Sequence, residues 1–311
     1  MATKKNLKIR LGRVGFIIKH HHPEAQQLAA ELAAYLLYDC PKNSYILFAS
    51  ESREIGMEFI RNHPGSRKRV RIVPKVKMVD QADFIIVLGG DGTYLSIARL
   101  MRSRSVPVMG VNLGQLGFLT EVKKEEALPT LERFYKGEKA QISERSLLEV
   151  TLIRKGKTVF QGPVVNDAVI AKGAIARIIG IQVRVDGALI NTIRADGIIV
   201  STPTGSTAYS LAAGGPILEP SVPGLILAPI CPHSLTQRPL VVRDDSEIEL
   251  CLNHRPGHVL LTLDGQDAVD LHEEDRIRIR KFQKHSLQLI SSPERDYFGL
   301  LREKLKFGLR D

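Results

Sequence analysis

Short apolar runs alternate with helical periodicity through the first half of the chain. Arg13 to Ile18 is an apolar run of strand length. After it Ala25, Leu28, Ala29, Leu32, Ala33, Leu36, Leu37 and Cys40 recur in alternating steps of three and one, which places them on one face of a helix. Further runs at Tyr45 to Ala49, Phe84 to Leu88 and Val106 to Val111 also have strand length, with helical patterns such as Thr93 to Met101 between them. Strands separated by amphipathic helices pair in parallel, because a crossover helix returns the chain to start the next strand in the same direction. The pattern predicts a Rossmann-like α/β domain with a parallel sheet.

From about Arg145 the rhythm changes. Short alternating runs follow one another at Leu147 to Ile153, Val159 to Val165, Ile178 to Val185, Ala188 to Ile193, Ile248 to Leu252, Val259 to Leu263 and Ile277 to Ile279, punctuated by Gly, Asn and Asp. This is the signature of an antiparallel β-rich domain of sandwich type, with one helical interruption after Thr204. Tyr297 to Leu305 reads as a helix that packs back on the first domain. The expected division is 1–144 for the α/β domain, 145–290 for the β-rich domain and 291–311 for the returning helical segment. At 311 residues the chain is too long for one comfortable core, which agrees with two domains.

Composition narrows the partners. With 44 basic against 34 acidic residues the net charge is +10, which favours anionic ligands. Tryptophan is absent and aromatics make up 5%, so platforms for stacking single-stranded nucleic acid are few, and no recognition motif for nucleic acid accompanies the charge. No apolar run approaches the roughly 20 residues of a membrane helix. Cys40, Cys231 and Cys251 are scattered and odd in number, giving neither a disulfide framework nor a zinc spacing. No apolar stretch of signal-peptide length follows Lys4 and Lys5, so the expected compartment is the reducing cytoplasm. Arg61 to Lys77 holds seven basic residues around two prolines and reads either as an electropositive loop near a polyphosphate or as a solvated surface turn. Three adjacent histidines, His20 to His22, cannot all face one metal without distorting the chain, and no ligand cluster lies near them.

Several signatures are missing. Gly156, Lys157 and Thr158 form the tail of a phosphate-binding P-loop, but Thr151 stands where its first glycine belongs. The dinucleotide fingerprint fails as well, because Leu95 replaces the third glycine after Gly90 and Gly92. Neither the zinc hydrolase nor the serine hydrolase motif occurs. What does occur is Gly89, Gly90, Asp91, Gly92 and Thr93, directly after an apolar strand and before a helical pattern. Glycines there let backbone N–H groups approach phosphate oxygens beyond the carboxyl end of a strand. Asp91 suits a base that takes a proton from a hydroxyl attacking phosphorus, or else a helix cap among turn residues. Asn166 and Asp167 close a strand; adjacent extended residues face opposite ways, so both reach one ligand only if the backbone turns, and a plain Asn-Asp turn is the alternative. Ser201, Thr202, Thr204, Ser206 and Thr207 put five hydroxyls within seven positions, more than helix capping needs. Gly214, Gly215 and Pro216 then end the helix.

Taken together, LGGDGT (Leu88 to Thr93), GVNLGQLGFLTEV (Gly110 to Val122), VVNDAVI (Val164 to Ile170), RADGIIVSTPTGSTAYSLAAGGPIL (Arg194 to Leu218), PICPHSLTQRPLVV (Pro229 to Val242) and LDGQ (Leu263 to Gln266) closely resemble the NAD kinase family, and they are spread over about two thirds of the chain. A GGDGT-like loop alone also occurs in phosphofructokinases and diacylglycerol-type lipid kinases. A lipid kinase, or a catalytically silent NAD-binding sensor, is therefore the alternative reading. The resemblance implies transfer of the terminal phosphoryl group of ATP, or of polyphosphate, to the 2′-hydroxyl of the adenosine ribose of NAD, giving NADP. It further implies a divalent metal, Mg²⁺ first, a site between the two domains, and a homodimer or homotetramer. Asp91 falls on the family's catalytic aspartate, in a loop with Gly89, Gly90, Gly92 and Thr93. Asn166 and Asp167 fall on the pair that holds the NAD adenosine, where many relatives carry the longer Glu second. Arg177, Arg194 and Asp196 fall on positions lining the dinucleotide site. Thr207, Ala208, Tyr209, Ser210, Leu211 and Ala212 fall on the segment that wraps it, with Ala212 where a serine is frequent. Gln266 matches a glutamine of the second domain, and Phe118 follows the second glycine-rich loop in the family's manner.

Overall fold

The computed structural model describes residues 5–40, 44–101, 103–114, 116–173, 177–254, 257–292 and 294–306. The chain divides into two compact units, one formed by 2–144 together with 287–311 and the other by 145–286.

In the first unit the elements run β1 (Lys5–Lys8), β2 (Arg13–Ile18), α1 (Pro23–Tyr38), β3 (Tyr45–Ala49), α2 (Arg53–Asn62), β4 (Val70–Val73), α3 (Lys75–Gln81), β5 (Phe84–Leu88), α4 (Asp91–Ala98), β6 (Pro107–Asn112), β7 (Val122–Lys123), α5 (Lys124–Tyr135) and β8 (Lys139–Arg145). The sheet order through the centre is β6, β5, β2, β3, β4, all in parallel register. Chain order therefore reverses between β2 and β5, which is where open α/β sheets leave a crevice at the carboxyl ends of the strands. α1 is capped by the His22 ring, whose Nδ1 accepts from Ala25 N at 3.4 Å, and starts at Pro23. Its apolar face from Ala25 to Leu37 is buried against Phe16, Phe48, Phe84 and Ile86. β5 is buried along its whole length, as a central parallel strand covered on both faces must be.

The second unit contains β9 (Leu148–Arg154), β10 (Lys157–Val164), β11 (Asp167–Lys172), β12 (Ile179–Val185), β13 (Ala188–Ala195), β14 (Gly197–Ser201), α6 (Tyr209–Ala212), β15 (Gly224–Ile230), β16 (Leu240–Arg243), β17 (Ile248–His254), β18 (Val259–Leu263), β19 (Asp267–Asp270) and β20 (Arg276–Lys281). Two six-stranded antiparallel sheets form, ordered β10-β9-β20-β17-β12-β13 and β16-β15-β14-β11-β18-β19. Alternation supplies their shared core: Val150, Ile181, Leu250 and Ile277 from one sheet meet Ile170, Ile198, Leu227 and Leu261 from the other. The second sheet also buries its other face, where Val169, Ile199, Ile226 and Ala228 pack with Ala213 and Leu218 from the stretch after β14.

Three expectations change. The sequence pattern puts the β-rich domain at 145–290, but β21 (Leu287–Ile290) pairs in parallel with β6 and is part of the first sheet, because its apolar side chains find their buried neighbours there. α7 (Tyr297–Leu305) follows it, capped by Asp296, whose carboxylate accepts from Gly299 N at 2.7 Å. The basic segment from Arg61 to Lys77 is neither an open loop nor a mere turn. It contains the end of α2, a single-turn helix, β4 and the start of α3, with Arg69 donating to the carbonyls of Leu36, Leu37 and Ser44 at 3.1, 2.9 and 3.0 Å. The helix after Thr204 is broken into a 3₁₀ turn over Thr204–Thr207 and the one turn of α6, ending at Gly214 with φ of +80°.

Candidate active site

The glycine loop is shaped by what surrounds it. Gly89 N donates to Val111 O at 3.0 Å, and a β-carbon on Gly89 would lie 2.6 Å from Thr93 Oγ1. Added β-carbons on Gly90 and Gly92 would meet nothing within 4 Å, so this part of the loop faces open space into which a ligand could come close to the backbone. Gly90 takes the cap position of α4, and Asp91 is the first residue of that helix.

The Asp91 side chain does not cap its own helix; it reaches the second glycine-rich segment. Oδ2 accepts from Phe118 N at 2.8 Å, and Oδ1 accepts from Leu119 N at 3.1 Å, Thr120 N at 3.1 Å and Thr120 Oγ1 at 3.0 Å. Asn112 Nδ2 in turn donates to Thr120 Oγ1 at 3.0 Å, so a relay runs from the end of β6 to the carboxylate. Gly117 is required by this packing, since a β-carbon there would lie 2.0 Å from Oδ1. The Phe118 ring is half-buried and packs against Tyr297 of α7, with ring centroids 6.3 Å apart. Sequence reading singled out Asp91 and Phe118 but missed Gly117 and Thr120, which do as much to set the carboxylate's direction.

Beside this loop, at the carboxyl ends of β2 and β3, lies a cavity of about 410 Å³ whose wall includes Lys19, His20, Glu51, Lys75, Gly92 and Ser96. It sits at the point of strand-order reversal described above.

In the second unit the backbone bends at Val165 and Asn166, between β10 and β11, as a shared role for Asn166 and Asp167 requires. The bend is held by Asp264. Its carboxylate accepts from Val165 N at 3.0 Å, Asn166 N at 2.7 Å and Asp167 N at 3.3 Å, while Asp264 N donates to Asp167 O at 3.0 Å. Asp264 can do this because it occupies, with Gly265, a tight turn with φ of +52° and +62°, the conformation an Asp-Gly hairpin favours. Asp167 is buried, and burial together with the neighbouring Asp264 charge pushes its carboxyl up to about 7. The LDGQ motif points to Gln266, whereas the residue of that motif that holds the bend is Asp264. Gln266 is exposed at the end of the same turn.

The hydroxyl-rich run closes over the bend. Thr202 Oγ1 donates to Val165 O at 2.6 Å and accepts from Gly205 N at 3.0 Å, Ser201 Oγ donates to Asn166 O at 3.2 Å, and Ser206 Oγ donates to Pro203 O at 2.6 Å. These hydroxyls are therefore occupied in building the loop. Among the residues singled out after them, Thr207, Ala208 and Leu211 are half-buried, Tyr209 and Ala212 are exposed, and the buried Ser210 Oγ has no hydrogen-bond partner. Arg177 and Arg194 are exposed, and Asp196 pairs with Lys172 Nζ at 2.8 Å. Among the described residues no three His, Cys, Asp or Glu side chains gather as metal ligands, and no helix is long and apolar enough to cross a membrane.

Comparison with known proteins bears on both units. Residues 14–139 match the family model for the ATP-NAD kinase N-terminal domain, and residues 165–292 match that for the ATP-NAD kinase C-terminal domain. The chain is 42% identical over 299 residues to the NAD kinase of Trichlorobacter lovleyi, covering 96% of this chain and 99% of that one. It is 50% identical over 231 residues to the NAD kinase of Geotalea daltonii, covering 74% and 81%. Among solved structures, yeast NADH kinase complexed with NADH superposes with a TM-score of 0.87 at 27% identity, over 97% of this chain and 89% of that one. The fold is also that of an NAD kinase from Archaeoglobus fulgidus in complex with ATP, at a TM-score of 0.65 and 24% identity over 94% and 98%.

Proposed function

The chain belongs to the NAD kinase family, and on that premise we propose that Asp91 is the base that takes the proton from the 2′-hydroxyl of the adenosine ribose of NAD as that oxygen attacks the terminal phosphorus of ATP. The ribose oxygen forms the new P–O bond. The bond from that phosphorus to the bridging oxygen breaks, ADP leaves with the electron pair, and NADP is the product. A lipid kinase, the alternative built on the glycine loop alone, does not fit a family match that extends through both units.

The observation that carries this reading is the hydrogen bonding of Asp91. Oδ1 takes three donors, whereas Oδ2 takes the single N–H of Phe118, leaving it room for a proton. A ribose hydroxyl is a very weak acid, so a positioned base contributes about 10²–10⁴-fold, and alignment and charge neutralisation of the phosphates contribute the rest.

Asn166 and Asp167 hold the adenosine. With its carboxyl pushed up to about 7, Asp167 is part protonated near neutrality and can donate as well as accept a hydrogen bond. Arg177, Arg194, Asp196, Gln266, Phe118 and the segment from Thr207 to Ala212 complete the dinucleotide site; the side chain of Asp167 is shorter than Glu, and Ala212 offers no hydroxyl. A divalent cation, Mg²⁺ first, fits the donor set among the described residues, which holds no carboxylate cage, because that ion is ordinarily carried by substrate phosphates and water. It would be held by phosphate oxygens and would neutralise their charge. The edge strand β13, with Leu189 and Ile190 about half exposed, supports a homo-oligomer. Three free cysteines, one of them buried, support a cytoplasmic location.

The test is a product assay on the purified chain with NAD, ATP and Mg²⁺. NADP and ADP appear in equal amounts. ADP formation that does not depend on NAD, or phosphorylation of diacylglycerol in its place, would overturn the reading.

A further inference from the structure

We propose that Arg295 is a positioning residue for the reaction: from the returning C-terminal segment it holds the strip of backbone that aims the Asp91 carboxylate. This rests on the reading of Asp91 as the base and goes beyond it by naming a residue at the other end of the chain that sets the base's direction without touching it.

The strip runs from Phe118 to Lys123. Its first three N–H groups, those of Phe118, Leu119 and Thr120, donate to the Asp91 carboxylate. Its last two residues form β7, which pairs in parallel with Val111 and Asn112 of β6. Glu121 lies between these two anchorages, and its carbonyl accepts from Arg295 Nη1 at 2.8 Å. The same nitrogen donates to Glu126 Oε2 at 3.0 Å, and Arg295 Nη2 donates to Glu126 Oε1. Glu126 Oε2 also accepts from Lys123 N at 3.0 Å, which caps α5 at the end of the strip. One guanidinium therefore ties the carbonyl next to Thr120 to the helix that follows. Two residues on, Tyr297 opens α7 and packs on the Phe118 ring, and α7 is itself anchored by its Asp296 cap and by buried Leu300 and Leu301. The segment from Arg295 to Tyr297 thus meets the strip on both sides of the N–H groups that grip Asp91.

The pair is built to hold still. The Arg295 side chain is 17% exposed and that of Glu126 23%. Burial pushes the Glu126 carboxyl up, but the hydrogen bonds from Arg295 and Lys123 N outweigh it and hold the group below the usual carboxylate range, so both partners stay charged at neutral pH. A planar fork spans two carboxylate oxygens and a carbonyl at once, which a single ammonium on a flexible stem does not. Fixing the carbonyl one residue after Thr120 limits how far the Thr120 N–H can swing away from Asp91 Oδ1. Precision of this kind matters to the chemistry, since a displacement of about 1 Å at a reacting group costs on the order of 10²-fold in rate. The periodicity that marks α7 begins at Tyr297 and leaves Arg295 outside it, and the partners of Arg295 lie 169 and 174 residues away.

Two conservative variants of the full chain separate the ion pair from the hold on the strip. In Arg295→Lys the ammonium goes to the Glu126 carboxylate, a stronger acceptor than a neutral carbonyl, and Glu121 O is released. In Glu126→Gln the amide oxygen still caps α5 and Arg295 still reaches Glu121 O, but the ion pair is gone. Steady-state kinetics with NAD and ATP show kcat about five- to tenfold lower in Arg295→Lys, with KM for each substrate within about twofold of the wild type. In Glu126→Gln kcat stays within about twofold of the wild type, although its Tm falls at least as far as that of Arg295→Lys. A wild-type kcat in Arg295→Lys would overturn the proposal, and so would a kcat that follows Tm across the two variants, as a merely structural ion pair requires. A tenfold loss of kcat in Glu126→Gln would overturn it even if Arg295→Lys failed to fold. A wild-type rate in Asp91→Asn would instead overturn the base role on which the proposal rests, whatever Arg295→Lys does.

Discussion

Thr120 grips Asp91 Oδ1 twice, through its backbone N–H at 3.1 Å and through its hydroxyl at 3.0 Å. The hydroxyl is itself the acceptor for Asn112 Nδ2, so the orientation of the carboxylate is set from the end of β6. Both contacts fall on the same oxygen, which biases the free lone pair to Oδ2.

Thr120→Val keeps the shape of this fully buried side chain and deletes both hydroxyl contacts. The expected result is a loss of about 1–2 kcal/mol of stability and a fall in kcat of about tenfold with a smaller change in KM for NAD, read from a thermal melt and steady-state kinetics. An unchanged kcat would show that the grip does not matter to the chemistry.

Gly117→Ala places a β-carbon 2.0 Å from Asp91 Oδ1 and 2.5 Å from Thr120 Oγ1, separations no real contact tolerates. The segment must shift, at a cost of about 1–3 kcal/mol, and the four hydrogen bonds to Asp91 cannot all persist. Kinetics should show kcat reduced more than either KM; full activity would mean that the clamp can open without consequence.

Asp264→Ala leaves the N–H groups of Val165, Asn166 and Asp167 without their acceptor. Losing a charged acceptor for buried N–H groups costs on the order of 1–3 kcal/mol, and the bend that presents Asn166 and Asp167 loosens. KM for NAD is expected to rise several-fold more than KM for ATP. Equal changes in the two would argue against a role for this bend in holding the dinucleotide.

Asp167 makes stability depend on pH. Its folded-state value, about 7, lies above the ordinary 3.8, so between these limits the folded chain retains a proton that the unfolded chain has released. Stability from this group therefore falls as pH rises through that window, and the full cost is present above it. In the unliganded protein Asp167→Asn should raise Tm above pH 7 by about 2 °C or more, with no gain near pH 4. A Tm difference that does not change with pH would assign the effect to packing.

Periodicity revealed the elements whose faces are buried by local pattern. The apolar stripe of α1 and the continuous apolar run of β5 became the core of the first sheet, and the alternating runs after Arg145 became two antiparallel sheets. What stayed hidden depends on distant partners. β4 has only Val70 and Val73 buried within a basic stretch, and β21 is a four-residue strand whose partner lies about 180 residues earlier in the chain. The same holds for the site. Asp91 stood out through the glycines around it, but its partners are 27 to 29 residues away, and Asp264 acts on a bend 97 to 99 residues away. The five hydroxyls from Ser201 to Thr207 suggested ligand contact, and several of them are used up in folding the loop. A count of residue types does not reveal which donors are already spent.

The most direct test of the account is the rate of NADP formation in a single turnover by Asp91→Asn, with NAD and ATP both saturating and NAD binding measured separately. The amide sets an N–H where Asp91 now accepts, so some loss of stability accompanies the change. In enzyme that still binds NAD, the account predicts a rate lower by about 10²–10⁴-fold. A rate within several-fold of the wild type would contradict it.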